Sequence, residues 1–122
     1  MREPVRDNGR LEHILEAIHY VEAFTKGFTY DDLLADALHL HAVVHNVQVI
    51  GEAVYKLSPE FKSAHPATPW VVIEKMRHVL VHDYYQIDEN EIRYVIEDDL
   101  RPLREQIEKY LTETNWEQWE QK

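Results

Sequence analysis

Residues 29–57 read TYDDLLADALHLHAVVHNVQVIGEAVYKL, and this stretch decides the class of fold. It contains one glycine and no proline, so we expect a single long helix that begins at Thr29 and ends before Ser58-Pro59. Its apolar residues recur at helical spacing on two faces. The first face consists of Leu33, Ala37, Leu40, Val44, Val47 and Val54, and the second of Leu34, Leu38, Ala42, Val49 and Tyr55.

An apolar arc of this width predicts that the helix is buried on more than one side. A small bundle can cover one side of its longest helix, which leaves the other side for a second copy of the chain. Gly51, in the interior of this helix, costs roughly 1 kcal/mol relative to alanine. Either it permits another helix to approach closely or it is simply tolerated.

The rest of the chain has the same helical periodicity, with further helices expected at 8–26, 69–82 and 88–112. A turn of helix is expected in the connector 59–68. Short loops between helices favour antiparallel neighbours. The sequence therefore predicts an all-α fold, an antiparallel bundle of four to five helices.

Two prolines mark particular positions in these helices. Thr68 is expected to cap the third helix, with Pro69 at its first position. Pro102 should kink or split the fourth helix because proline lacks an amide donor.

The chain is expected to divide into a flexible leader (1–7), a helical domain (8–112) and an acidic tail (113–122). The tail carries Trp116 and Trp119. These two side chains could dock on the domain or on a partner, and a mobile tail is an equal alternative.

Composition excludes several classes of protein. The chain has no cysteine, so disulfides and thiolate metal sites are excluded. It lacks the apolar runs of a signal peptide or a membrane span, which makes the cytoplasm the simplest location. The net charge of −10 argues against non-specific binding of nucleic acid. A polyanion would need a local basic spot, or one built from two chains, and a basic protein partner is equally compatible.

The stretch Arg77-His78-Val79-Leu80-Val81-His82-Asp83-Tyr84-Tyr85 concentrates reactive side chains. An arginine can stabilise the developing charge of a phosphate, and a histidine can move protons near neutral pH. The alternative is an ordinary helix end, where such cations favour the macrodipole. Arg77 and His82 are five residues apart, about 140° around an ideal helix. They can converge if the helix ends near His82, if the long arginine side chain reaches across, or if two copies surround one groove.

Other kinds of site are disfavoured. The pairs His78/His82 and His41/His45 have the spacing of metal ligands, but neither has a carboxylate in an HExxH arrangement. We therefore expect no metal. The chain lacks the glycine-rich motifs of ATPases and dinucleotide enzymes and the GxSxG motif of serine hydrolases.

The pattern Arg77-x4-His82-x-Tyr84 resembles the RX4HXY motif of HepT-type toxins in the HEPN superfamily. The resemblance covers residues 8–112, essentially the whole domain. It extends to Gly51-Glu52-Ala53-Val54, Lys56-Leu57-Ser58-Pro59-Glu60-Phe61, His65-Pro66, Pro69-Trp70, and Asp99-Leu100 with Pro102-Leu103.

This resemblance implies an all-helical homodimer whose cleft is a metal-independent endoribonuclease without a cofactor. His82 would be the catalytic proton-transfer residue, and Arg77 would bind the scissile phosphate of the RNA substrate and its transition state. His78 would tune or orient the site.

The resemblance also implies a partner, a nucleotidyltransferase antitoxin of the MNT type that modifies Tyr84 with AMP. The added phosphate would repel RNA. The alternative is a non-catalytic helical partner of the transferase, which uses the same cleft to bind a nucleotide. The acidic net charge fits RNA cleavage poorly, and it suits a protein held by its antitoxin or one with little activity of its own.

Overall fold

The structure, a computed structural model, describes residues 6–79 and 89–120. Within these ranges the chain contains helices and no strand, so the predicted all-α class is confirmed. A π-helical segment, Val95–Asp99, lies between the seventh and eighth helices. The α-helices are α1 (Asp7–Thr25), α2 (Tyr30–Ala35), α3 (Ala37–Tyr55), α4 (Pro59–Ala64), α5 (Trp70–Glu74), α6 (Met76–Val79), α7 (Glu89–Tyr94), α8 (Leu100–Glu113) and α9 (Trp116–Glu120).

Helices α1, α3 and α8 form the bundle, and α1 runs antiparallel to both of the others. Asp7, at the start of α1, accepts hydrogen bonds from the amide (2.8 Å) and the hydroxyl (2.6 Å) of Ser58, which follows α3. Glu22, near the end of α1, forms an ion pair with Arg104 in the first turns of α8. The predicted antiparallel bundle is therefore confirmed.

The core of the bundle is apolar because each of these helices turns a stripe of aliphatic side chains inward. The side chains that are at most 1% exposed include Leu11, Ile14, Ile18, Val43, Val47, Ile50, Val54, Leu103 and Ile107.

None of the helices in the described ranges is long and apolar enough to cross a membrane.

The prediction of a single long helix over 29–57 is wrong in one respect, because the helix breaks at Asp36. This residue has an extended backbone (φ −115°, ψ 94°) and separates α2 from α3. Its carboxylate accepts a hydrogen bond from the amide of His39 (3.1 Å) and so caps α3. That hydrogen bond holds the pKa of Asp36 below its ordinary value of 3.8. Asp competes with the helix for backbone amides, which explains the break.

We expect Asp36→Ala to lower the melting temperature near neutral pH, because the variant loses the cap of α3. The carboxylate has a lowered pKa in the folded state, so its contribution is present above the unfolded value of 3.8. It is lost as the pH falls through the folded value. Thermal melts of wild type and variant should differ at pH 7 and converge in acid. A difference that does not change with pH would contradict this assignment.

Thr68 does not cap the third helix as predicted. Pro69 occupies the cap position, α5 begins at Trp70, and no side chain caps it. Thr68 is 2% exposed, and its hydroxyl donates instead to Gln106 Oε1 (2.9 Å) while it also contacts the Tyr110 hydroxyl. A buried hydroxyl needs a partner, and α8 provides two of them.

The distortion expected from Pro102 lies one turn upstream of it. The π-helical segment Val95–Asp99 ends with a hydrogen bond from the Leu100 amide to the Val95 carbonyl. Pro102 cannot donate to the carbonyl of Asp98, and its ring crowds that carbonyl. The wider turn accommodates both effects, and α8 continues through Pro102 to Glu113, so the helix is not split at the proline. The predicted kink stays a prediction.

The tail packs on the bundle through its two tryptophans. The rings of Trp116 and Trp119 lie 5.9 and 5.6 Å from the ring of Phe61, which is fully buried in α4. The indole nitrogen of Trp119 donates to Asp7 (3.0 Å), so α9 reaches the start of α1. The sequence left open whether the tail docks on the domain, docks on a partner or is mobile. In the structure it docks on the domain. The division of the chain at residues 7 and 112 stays a prediction.

Candidate active site around Arg77

The site is built where α6 crosses the C-terminal half of α3. Gly51 of α3 is buried, and an added Cβ would collide with the backbone nitrogen of Arg77 and lie 3.0 Å from the carbonyl carbon of Met76. The sequence left open whether Gly51 permits a close approach of another helix or is simply tolerated. In the structure it permits the close approach of α6. Glycine here lets the backbone of α6 rest directly on α3, and this contact places Arg77 over the end of α3.

The short helices α5 and α6 are held in place by large buried side chains. Trp70, Ile73 and Met76 are at most 6% exposed, and the indole of Trp70 donates to the carbonyl of His65 (2.9 Å). A turn at Lys75 separates the two helices. The predicted third helix is therefore interrupted within 69–79, and its expected end at residue 82 lies outside the described residues.

The guanidinium of Arg77 lies near two side chains of α3, Tyr55 and Glu52. Its central carbon is 3.6 Å from the centroid of the Tyr55 ring, a close cation–π contact. Its Nη1 is 3.9 Å from Oε2 of Glu52, an ion pair too long to be a hydrogen bond. Glu52 is also 3.9 Å from Lys56 Nζ. Arginine and lysine thus place two positive charges at the end of α3.

Exposure decides what this arrangement can do. The side chain of Arg77 is 25% exposed, so it is partly covered yet accessible to a ligand. Glu52 is half exposed, and ion pairs of that kind are weak, so the carboxylate can give way to another anion. A guanidinium stacked on a ring keeps its N–H groups in the plane, where they can bind a phosphate in bidentate fashion. The geometry therefore gives an acidic protein an accessible guanidinium that is chemically able to bind a phosphate.

The other predicted site residues fall outside what the structure describes. His82, Tyr84 and Tyr85 lie outside the described residues, and His78 is placed only as backbone in α6. The convergence of Arg77 with His82 and the roles of His78 and Tyr84 stay predictions.

His41 and His45 are exposed on α3. In the described part of the chain, no group of three or more His, Cys, Asp or Glu side chains could hold a metal ion.

The sequence patterns do not identify Glu52 and Tyr55 as site residues. Glu52 falls within one of the family-like segments, and Tyr55 belongs to the predicted second apolar face of α3. The signal that could have found them is Gly51, because a glycine inside a helix often marks a close approach. Residues one and four positions beyond it lie beside the element that approaches.

Comparison with known proteins decides the family. The family model described as "Ribonuclease HepT-like" matches residues 14–110, most of the chain. The chain belongs to this HepT-like family of the HEPN superfamily. The resemblance seen in the Arg77-x4-His82-x-Tyr84 motif and its surroundings is thus confirmed.

Curated proteins of known name agree with this HepT-like assignment. The chain is 34% identical over 99 residues to "Probable ribonuclease HepT" of Thermococcus cleftensis, covering 81% of this chain and 90% of the relative. It is 33% identical over 101 residues to "Putative RNase TTE0752" of Caldanaerobacter subterraneus, covering 83% and 90%. A third relative, "Gamma-glutamylcyclotransferase and putative RNase MJ0434" of Methanocaldococcus jannaschii, is 34% identical over 103 residues, which are 84% of this chain and 46% of that protein. No solved structure matches the chain at comparable significance.

Proposed function

We propose that this protein is a metal-independent endoribonuclease, the toxin of a toxin–antitoxin system in the cytoplasm. The observation that carries the proposal is the accessible guanidinium of Arg77, stacked on Tyr55, in a chain of the HepT-like family. Named RNases among its relatives support the same activity. Arg77 is the first residue of the Arg-x4-His motif, and His82 is the last.

In the proposed reaction, His82 transfers protons and Arg77 stabilises charge. The imidazole takes the proton from a ribose 2′-hydroxyl, and the 2′-oxygen attacks phosphorus. The bond from phosphorus to the 5′-oxygen breaks, and that oxygen receives the proton from the imidazolium of His82. The guanidinium donates hydrogen bonds to the non-bridging oxygens, where negative charge grows in the transition state. The products are a 2′,3′-cyclic phosphate and a 5′-hydroxyl, and no metal is required.

A homodimer would bring two copies of this motif around one cleft. The second apolar face of α3 supports it, because Leu38 is 80% exposed within one chain. Light scattering should give the mass of a dimer at micromolar concentration, and Leu38→Asp should weaken it. A wild-type mass of 14.6 kDa, that of one chain, would contradict the dimer.

The proposed partner is a nucleotidyltransferase that silences the toxin by adding AMP to Tyr84. An added phosphate beside the cleft would repel RNA by charge. Co-expression with the transferase, followed by intact mass and peptide mapping, should find one AMP on the peptide that contains Tyr84. A peptide that stays unmodified while the transferase still neutralises the toxin would indicate masking of the cleft instead.

The second candidate is a non-catalytic helical partner of the transferase, which binds a nucleotide in the same cleft. The net charge of −10 and the carboxylate of Glu52 beside Arg77 favour it, because both oppose binding of a long polyanion. An RNA panel incubated in EDTA with wild type, Arg77→Ala and His82→Ala separates the two. Cleavage by wild type alone supports the nuclease. Equal cleavage by all three proteins would show that a contaminating nuclease cuts the RNA, and it would favour the non-catalytic binding function.

A further inference from the structure

The guanidinium of Arg77 is in close contact with the Tyr55 ring, whereas its ion pair with Glu52 is beyond hydrogen-bond distance. The guanidinium carbon lies 3.6 Å from the ring centroid, whereas the Glu52 carboxylate is 3.9 Å away and half exposed. A half-exposed carboxylate beyond hydrogen-bond distance does not fix the plane of a guanidinium. An aromatic ring in contact with its face can.

The ring also leaves the N–H donors of the guanidinium free to bind a ligand. A cation–π contact uses the face of the guanidinium, while its five N–H donors point outward in the plane. A carboxylate partner would occupy one of the edges that bind phosphate. Tyr55 thus restrains Arg77 without competing for its donors.

Tyr55 contributes little to the core. Its side chain is 48% exposed, close to the 47% of Tyr20, which lies on α1 and stacks on Phe24. About half of its surface remains in solvent within one chain, so its burial stabilises the fold less than full burial of a tyrosine would. The position of Tyr55, one helical turn beyond Gly51 and under Arg77, fits a role in the site better than a role in folding.

We propose that Tyr55 is a positioning residue, whose ring holds the guanidinium of Arg77 in the plane needed to bind the scissile phosphate. This rests on the proposed nuclease function. The phenol hydroxyl has no part in it, so phenylalanine should replace tyrosine at this position and an aliphatic residue of similar size should not.

The activity test compares Tyr55→Phe and Tyr55→Leu with wild type on one RNA in EDTA. Tyr55→Phe should keep activity within about twofold, and Tyr55→Leu should lose about tenfold in kcat/KM, mostly in kcat, because a loosened arginine stabilises the transition state less well. Tyr20→Leu removes an equally exposed tyrosine and should stay near wild type. Equal losses in Tyr55→Phe and Tyr55→Leu, or in Tyr20→Leu and Tyr55→Leu, would overturn the proposal.

A second readout does not depend on cleavage. In 15N-labelled protein, the Arg77 Nε–H resonance should carry a ring-current shift that Tyr55→Phe keeps and Tyr55→Leu loses. Titration with inorganic phosphate should move this resonance at lower concentration in wild type and Tyr55→Phe than in Tyr55→Leu. If wild type cuts no RNA but this order holds, the nuclease proposal fails and the positioning role stands. The same shift and the same phosphate response in all three proteins would overturn the positioning role alone.

Discussion

Replacing Arg77 or His82 with alanine is expected to lower the rate of RNA cleavage by at least about 100-fold in each case. Arg77→Ala removes the donors that meet the charge on the non-bridging oxygens, and His82→Ala removes the group that transfers protons. Arg77→Lys should lose about tenfold or more, because an ammonium cannot bind phosphate in bidentate fashion and stacks poorly on Tyr55. Single-turnover rates with excess enzyme and EDTA measure these effects without the contribution of product release.

Arg93 offers a matched control for Arg77. It also lies over a tyrosine, with its guanidinium carbon 5.3 Å from the Tyr30 ring, and it forms an ion pair with Glu97 (3.4 Å). Arg93→Ala removes the same charge from the same acidic protein and should cut RNA at close to the wild-type rate. If Arg93→Ala and Arg77→Ala lost activity equally, net charge would explain the result and the special role of Arg77 would be wrong.

Gly51→Ala should destabilise the protein by about 2 kcal/mol, as overpacking of a tight contact does. Alanine favours the helix by roughly 1 kcal/mol, so the result depends on which effect is larger. The added methyl group would collide with the backbone nitrogen of Arg77, and backbone cannot rotate away as a side chain can. We therefore expect the steric effect to dominate, with α6 displaced and activity reduced. Urea denaturation and single-turnover cleavage measure the two consequences.

Gly27→Ala is a control that shows whether Gly51→Ala reduces activity through lower stability of the protein or through displacement of α6. Gly27 has φ +80°, and a Cβ added to it would have no atom of a non-adjacent residue within 4 Å, so alanine there is strained by its backbone but collides with nothing. It should cost about 1 kcal/mol and leave the cleavage rate of the folded protein unchanged. A Gly51→Ala protein that is more stable than wild type would show that α6 does not rest on α3 as described.

Local sequence patterns predicted the helices well where burial and propensity agree. The first helix, expected at 8–26, is observed at Asp7–Thr25, and the turn of helix around Phe61 is observed as α4. The predictions for Asp36 and Thr68 are wrong for opposite reasons. Asp36 has the pattern of one more polar residue on a long helix but caps α3, whereas Thr68 has the pattern of a cap but is buried and hydrogen-bonded to α8. Pattern alone cannot tell which partner such a side chain finds.

The candidate site was predictable only in part, because its contacts join distant parts of the chain. Arg77 stood out by its chemistry and by the family motif. Its partners Tyr55 and Glu52 lie more than twenty residues earlier in the sequence, on a different helix. Spacing within one helix carries no information about such a contact. The crossing of α6 over α3, made possible by Gly51, is a tertiary feature that emerges when the core packs.

The most direct test of the nuclease uses a DNA oligonucleotide that contains a single ribonucleotide. Purified wild type and His82→Ala are incubated with it in EDTA, and cleavage of the strand is measured. We predict that wild type cuts after the ribonucleotide and leaves a 2′,3′-cyclic phosphate and a 5′-hydroxyl, while His82→Ala leaves the strand intact. Equal cutting by both proteins, or cutting by wild type that requires a divalent metal, would contradict the catalytic site proposed around Arg77 and His82.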